Sequence, residues 1–193
     1  MVEQRYGNPF RTPIMLARMD RWGQTYHDGT YFVCRCYAVQ LASASLVLAN
    51  KRYGAYGTFQ AKAKLSGAVK FNSLYLFLLE NHHGHPGDGL ISFFYSGVDE
   101  KYYAWSQDAG GGTLTDLGAL DWTAEQTFRI EWAPGQIVFK IDGEVVATHN
   151  TNVPAVAMSW CLEAMTQEGS IPSSEGIVYQ RDFEEVVDLG YDL

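Results

Sequence analysis

The segment from Phe128 to Thr148, FRIEWAPGQIVFKIDGEVVAT, restricts the fold more than any other stretch of the chain. Phe128, Ile130 and Trp132 fall on one face of an extended run, and Arg129 and Glu131 on the other. Ile137, Phe139 and Ile141 alternate with polar neighbours in the same way. Period-two alternation is the mark of a half-buried strand. The runs are separated by Pro134-Gly135 and by Asp142-Gly143. Asp-Gly between alternating runs predicts a two-residue hairpin, because a type I′ turn needs φ > 0 at both central residues. The segment therefore reads as an antiparallel meander with one buried face.

Turn signals recur at similar spacing along the rest of the chain. The pattern predicts strands near 31–39, 45–50, 57–65, 73–80, 90–96, 101–106, 113–117, 127–133, 136–141, 144–149, 156–165 and 176–187. Short strands at this spacing suggest a sandwich or barrel rather than βαβ units. No stretch of twelve residues carries a helical stripe. Residues 1–30, with Pro9, Pro13, Gly23 and Gly29, read as an irregular arm packed on the sandwich, and residues 31–193 as one domain. The strand 73–80, SLYLFLLE, is apolar on both faces, so it is central or lines a cleft, with Tyr75, Phe77 and Leu79 expected to share one side.

Composition narrows the function. Of 193 residues, 47% are hydrophobic and 14% aromatic, enough for a sizeable core. Fourteen Lys and Arg against 22 Asp and Glu give a net charge of −8, which disfavours nucleic acid and anionic lipid and leaves uncharged glycans or a protein surface as partners. A homo-oligomer is compatible with this. No apolar run approaches the length of a membrane-spanning helix. The N-terminus lacks the charged start and apolar core of a signal peptide. A cytoplasmic chain, an exported one and a component of a virus particle all stay open. Cys34, Cys36 and Cys161 are an odd number, and Cys34 and Cys36 sit at i, i+2 of a strand, so all three read as free thiols.

Three pieces together resemble the concanavalin A-like jelly roll, and in particular the family 16 glycoside hydrolases, laminarinases among them. They are Tyr56-Gly57-Thr58-Phe59-Gln60-Ala61-Lys62-Ala63-Lys64; Phe128-Arg129-Ile130-Glu131-Trp132 leading into Ile137-Val138-Phe139-Lys140-Ile141-Asp142-Gly143; and Val153-Pro154 before a long apolar strand, with a last strand around Ile177–Phe183. The resemblance runs from about Leu46 to the C-terminus and implies an all-β, two-sheet antiparallel sandwich. It also implies a catalytic strand of the form E-x-D-x-(x)-E after the strand 73–80. The segment there is Gly87-Asp88-Gly89-Leu90-Ile91-Ser92-Phe93-Phe94-Tyr95. One register puts Gly89, Ile91 and Phe93 or Phe94 at the three positions. A shift by one gives Asp88, Leu90 and Ser92 or Phe93. Neither supplies the two carboxylates that retaining hydrolysis needs about 5–5.5 Å apart. The expectation is a lectin-like domain with no catalytic residues.

Two further clusters are candidates for ligand contact. Asn81 to Asp88 holds His82, His83, His85 and Asp88 on a Gly/Pro-rich loop. It reads as a metal site, as a glycan-contacting rim or as a plain connecting loop. Lys101-Tyr102-Tyr103-Ala104-Trp105-Ser106-Gln107-Asp108 interleaves aromatic and hydrogen-bonding side chains, as carbohydrate sites do, although one alternating set must pack in the sandwich. The expected ligand-binding residues are Asp88, Tyr103, Trp105, His82 and His85. No metal or cofactor is expected, and no motif supports calcium. Two other readings stand beside glycan recognition. One is a glycan-cleaving enzyme with relocated acids, Glu80 or Asp88 with Glu163. The other is a viral or phage surface module that uses the fold for assembly.

Overall fold

A computed structural model describes residues 3–6, 19–22, 24–36, 44–49, 56–66, 72–81, 89–118, 120–166 and 174–188. All its regular elements are strands: β1 (Glu3–Tyr6), β2 (Met19–Trp22), β3 (Gln24–His27), β4 (Phe32–Cys36), β5 (Ala44–Ala49), β6 (Gly57–Ser66), β7 (Asn72–Glu80), β8 (Leu90–Ser96), β9 (Lys101–Asp108), β10 (Gly111–Asp116), β11 (Gln126–Ala133), β12 (Gln136–Ile141), β13 (Glu144–His149), β14 (Ser159–Thr166) and β15 (Gly176–Asp188). One sheet runs β13-β12-β11-β6-β15-β4-β3, with β1 also on β15, and the other runs β10-β9-β8-β7-β14-β5-β2. Every pairing is antiparallel, and the two sheets form a sandwich. Residues 1–30 are not simply an irregular arm: β1, β2 and β3 lie within them and join both sheets. Each has four residues, too few to show a period.

The Asp-Gly hairpin forms as the sequence predicts. Asp142 and Gly143 have φ of 50° and 90°. The Asp142 carboxylate accepts from Thr127 N–H at 2.8 Å, while its own N–H donates to Thr127 C=O at 2.9 Å, so the turn is tied to β11. Phe128, Ile130, Trp132, Ile137, Phe139 and Ile141 are buried, and Trp132 Nε1 donates to Pro154 C=O at 3.0 Å. On the other side of the meander Lys140 pairs with Glu131 at 2.7 Å.

From the facing sheet, Phe93 of β8 meets Phe128 at 5.1 Å and Phe139 at 5.2 Å between ring centroids. Ile91, Phe93 and Tyr95 therefore belong to the core. This corrects the register that placed Gly89, Ile91 and Phe93 on the ligand face. A Cβ on Gly89 would lie 2.8 Å from both Pro154 and Val156, so that position too is closed by packing. Leu90 and Ser92 of the shifted register face outward, as does Phe94, the alternative at the third position of the first, while Phe93 does not.

The strand β7 carries one extra residue. Tyr75 pairs with Phe94 and Phe77 with Phe93 on one side, while Cys161 pairs with Leu78 and Glu163 with Tyr75 on the other. The insertion falls at Leu76. Leu76 and Phe77 both enter the core, and Tyr75 and Leu78 cluster on the opposite side with Cys161 and Leu90. Tyr75, Phe77 and Leu79 therefore do not share a face, because a bulge resets the alternation. A bulge leaves backbone groups without ladder partners. Here Gln180 Nε2 on β15 donates to Leu76 C=O at 2.8 Å, and the Cys34 thiol on β4 donates to Leu162 C=O at 3.3 Å. Both donors cross from the opposite sheet. Cys34, Cys36 and Cys161 are buried free thiols.

A second polar tie joins the sheets near β13. His149 is buried, with Nδ1 2.8 Å from Ser106 Oγ on β9 and Nε2 2.9 Å from Thr115 Oγ1 on β10. Its ring also packs on Phe139, with centroids 4.8 Å apart.

Two predictions follow from these ties. Gln180→Leu strips Leu76 C=O of its partner but also removes the unpartnered Gln180 Oε1. The net loss should be on the order of 1 kcal/mol in urea denaturation, below the full penalty for an orphaned buried group. An unchanged midpoint would mean the carbonyl finds another donor. For His149, burial lowers the pKa below its ordinary 6.5. The unfolded chain thus takes up a proton first. The stabilisation is complete above pH 6.5 and is lost as pH falls below it towards the depressed folded value. In His149→Gln the decline in melting temperature between pH 6.5 and about 5 should shrink, and an identical decline would refute the assignment.

Candidate functional site

Strand alternation leaves one face of the seven-stranded sheet turned away from the core. Register lays its side chains out in rows across the strands. The first row is Glu163, Tyr75, Phe94, Tyr103 and Asp116. The second is Cys161, Leu78, Ser92, Trp105 and Leu114. The third holds Glu80, Leu90, Gln107 and Gly112.

The aromatic residues on this face divide into two kinds. Tyr75 and Phe94 stack with centroids 5.2 Å apart and planes 17° apart. Phe94 and Tyr103 stack at 5.6 Å and 28°. Rings that stand side by side on neighbouring strands cover each other's faces, so Phe94 has neither face free for a sugar. Trp105 departs from this ladder. It is tilted 50° to Phe94, is half-buried, and lies next to Leu114, which is 55% exposed. Tyr102 points the other way and packs on Trp122 at 4.3 Å and on Tyr95 at 5.2 Å. The aromatic strand thus gives Tyr102 to the core side, and Tyr103 and Trp105 to the outer face.

Acidic groups border the face. Glu80 and Glu163 are each 6% exposed, and Cys161 lies between them in β14–β7 register. Burial and then the Glu163 and Glu80 carboxylates raise the Tyr75 phenol above its ordinary value. Burial and the same two carboxylates raise the Cys161 thiol, so it is protonated and inert as a nucleophile. Ser92 is fully buried and its Oγ has no hydrogen-bond partner. At the other end, the Tyr103 hydroxyl donates to Asp99, and Lys101 Nζ pairs with Asp116 at 2.6 Å. Lys101 is the one cation in the rows and strand ends described here, and Asp116 neutralises it.

Of the residues that sequence reasoning chose, Tyr103 and Trp105 lie on this face. His82, His85 and Asp88 fall outside the described residues. Asn81 N–H donates to Gly89 C=O at 3.1 Å, so the ends of their loop meet beside Glu80 and Leu90. Among the described residues no three His, Cys, Asp or Glu side chains converge on a common metal position. Sequence reasoning left the side of Tyr75, Ser92 and Phe94 open, because the run ISFFYS is apolar on both sides and its parity depends on the bulge in β7.

No family model matches the chain, and no curated protein resembles it in sequence. Solved structures do share its fold. A prokaryotic β-1,3-1,4-glucanase (lichenase) from a mouse hindgut metagenome superimposes with a TM-score of 0.71 at 16% identity, covering 97% of this chain and 99% of that one. A pseudo β-1,3-glucanase and immunostimulatory antigen of Mycobacterium tuberculosis gives 0.66 at 16% identity, over 85% and 78%. The catalytic domain of an endo-1,3-β-glucanase (laminarinase) from Thermotoga petrophila gives 0.61 at 18%, over 84% and 78%. At these identities the likeness establishes the fold, the glucanase-type jelly-roll sandwich.

The geometry at Tyr103 has a direct spectroscopic test. Its hydrogen bond to Asp99, with burial and the Asp99 charge behind it, pushes the phenol up to about 12. Asp99→Asn removes the charge and should bring Tyr103 down towards 10. Tyrosinate absorbance, with Tyr103→Phe subtracted, reads the change. A Tyr103 that titrates the same in both proteins would show that the two groups are apart in solution.

Proposed function

We propose that this chain recognises an uncharged glycan on the outer face of the seven-stranded sheet, with Trp105 as the stacking platform, and does not cleave it. The observation that supports this reading most is the position of Trp105. Among the aromatic side chains described on that face it is the one that stands outside the Tyr75–Phe94–Tyr103 ladder, and Leu114 and Gln107 lie beside it. A sugar's apolar face packs on such a ring while nearby amide and hydroxyl groups take its hydroxyls. Glu80, Glu163, Asp99 and Asp116 against the paired Lys101 favour an uncharged chain over a sulfated or uronate one. The fold is shared with proteins described as a lichenase, a laminarinase and a pseudo β-1,3-glucanase, so laminarin and lichenan oligosaccharides are the first ligands to try.

The non-catalytic part of the proposal rests on β8, whose outward positions are Leu90, Ser92 and Phe94. An apolar and hydroxyl-bearing strand offers neither nucleophile nor proton donor for glycoside cleavage. One observation favours the rival reading of relocated acids: Glu80 and Glu163 share the face and both act electrostatically on Tyr75 and Cys161.

Calorimetric titration with laminarin oligosaccharides separates the readings. Trp105→Ala should weaken binding roughly 5- to 150-fold, equivalent to about 1–3 kcal/mol, with little change in melting temperature for a half-buried ring. Undiminished affinity would remove Trp105 from the site. A collapsed melting temperature would make the ring structural. Neither laminarin nor lichenan should release reducing ends. Release abolished by Glu80→Gln or Glu163→Gln would establish the enzyme instead.

A further inference from the structure

We infer that Gly112 is a positioning residue for the Trp105 platform. The inference rests on the glycan reading of that face and deepens it. Gly112 lies on β10 opposite Gln107, one diagonal step from Trp105. Diagonal neighbours on one face of a sheet come within reach of a large aromatic side chain. A Cβ built on Gly112 would sit 2.9 Å from Trp105 Nε1 and 3.8 Å from Trp105 Cδ1. The pyrrole edge of the indole therefore overhangs the Gly112 backbone, in the space a methyl group would fill.

The other two glycines of the run serve the turn. Gly111 has φ of 138°, where an L side chain is strained, and Gly110 N–H donates to the Asp108 carboxylate at 2.7 Å. Gly112 needs no left-handed backbone, so the β9–β10 turn does not explain it. Contact with the indole does. Glycine within a strand often marks the close approach of another group. With any other residue at 112 the ring must swing off β10, towards Leu114 or up into solvent. The ring would then lose the pose in which its pyrrole edge lies over the Gly112 backbone.

Gly112→Ala tests this cleanly, because the substitution falls on the edge strand β10, leaves the backbone unstrained and clashes with a side chain rather than with backbone. The free protein is examined first. The indole N–H resonance of Trp105, identified by its disappearance in Trp105→Phe, should shift in Gly112→Ala while the other four tryptophan indoles hold their positions. Laminarin oligosaccharide affinity should fall roughly 3- to 10-fold with an unchanged melting temperature. In a Trp105→Phe background the smaller ring clears the added methyl, so Gly112→Ala should have no further effect, and the pair is strongly non-additive. An unmoved indole resonance overturns the inference. So does a shifted resonance with full affinity in Gly112→Ala when Trp105→Ala binds weakly, since the pose would then not matter. A shifted resonance with full affinity in both Gly112→Ala and Trp105→Ala has a different meaning: the seating of the ring stands and the glycan reading fails.

Discussion

One extra residue in β7 decides what the outer face of this sandwich is made of. Tyr75 and Glu80 are five positions apart, so a regular strand would send them to opposite sides. One of the two polar groups would then enter a core of Phe77, Phe93, Phe128 and Trp160. Burying an unpaired carboxylate costs several kcal/mol and an unpaired hydroxyl somewhat less. Doubling Leu76 with Phe77 on the inner side removes the conflict. The strand can then bring both Tyr75 and Glu80 outward and still give four apolar side chains to the core. The distortion frees backbone carbonyls, and the opposite sheet supplies the donors, Gln180 for Leu76 and Cys34 for Leu162. The two sheets are therefore joined by hydrogen bonds at the place where one of them is irregular. Packing and the composition of the face share one origin.

That origin also explains why the aromatic residues on the face divide as they do. Register after the bulge sets Tyr75, Phe94 and Tyr103 directly opposite one another. Strands about 4.8 Å apart hold such rings nearly parallel. Cross-strand aromatic pairs of this kind contribute roughly 0.2–1 kcal/mol each to the sheet. Their faces are occupied by that stabilisation. Trp105 falls in the next row, where its neighbours across the strands are Ser92 and Leu114 rather than rings. With a small side chain on one side and an edge strand on the other, the indole can lie over β10. Counting aromatic residues in the sequence overstates the number of rings with a free face, because register stacks Tyr75, Phe94 and Tyr103 on one another.

Much of the fold could be read from the chain because it rests on local rules. Asp142-Gly143 states its own turn, and the alternation in FQAKAKL and FRIEW states which side is buried. Strands such as β7 and β8 are different. Both faces are apolar, so alternation carries no parity, and the Leu76 bulge reverses the expected side for half of β7. Sequence reasoning therefore left two registers open for the β8 segment, and only packing against the facing sheet decides between them. His149 was not singled out at all. Its partners Ser106 and Thr115 lie 43 and 34 residues away, and only the closing of the sandwich brings them together. Gly112 carries no sign of its neighbour in the sequence, since a glycine run has the same appearance whether it serves a turn or a neighbouring ring.

The carboxylates and the aromatic platform lie in different parts of the same face, and this bears on what the face can do. Glu80 and Glu163 sit on β7 and in β14, where each retains 6% exposure. Trp105 lies two strands from β7 at the edge formed by β9 and β10. The indole is therefore beside Gln107 and Leu114 rather than beside an acid. Between the indole and the acids lie the outward positions of β8, Leu90, Ser92 and Phe94, with Ser92 fully buried. The stacking reading and the relocated-acid reading therefore draw on different strands of the sheet. Neutral thiol and phenol groups at Cys161 and Tyr75 keep the acids in a low-dielectric setting. In that setting a carboxylate interacts strongly with its immediate neighbours.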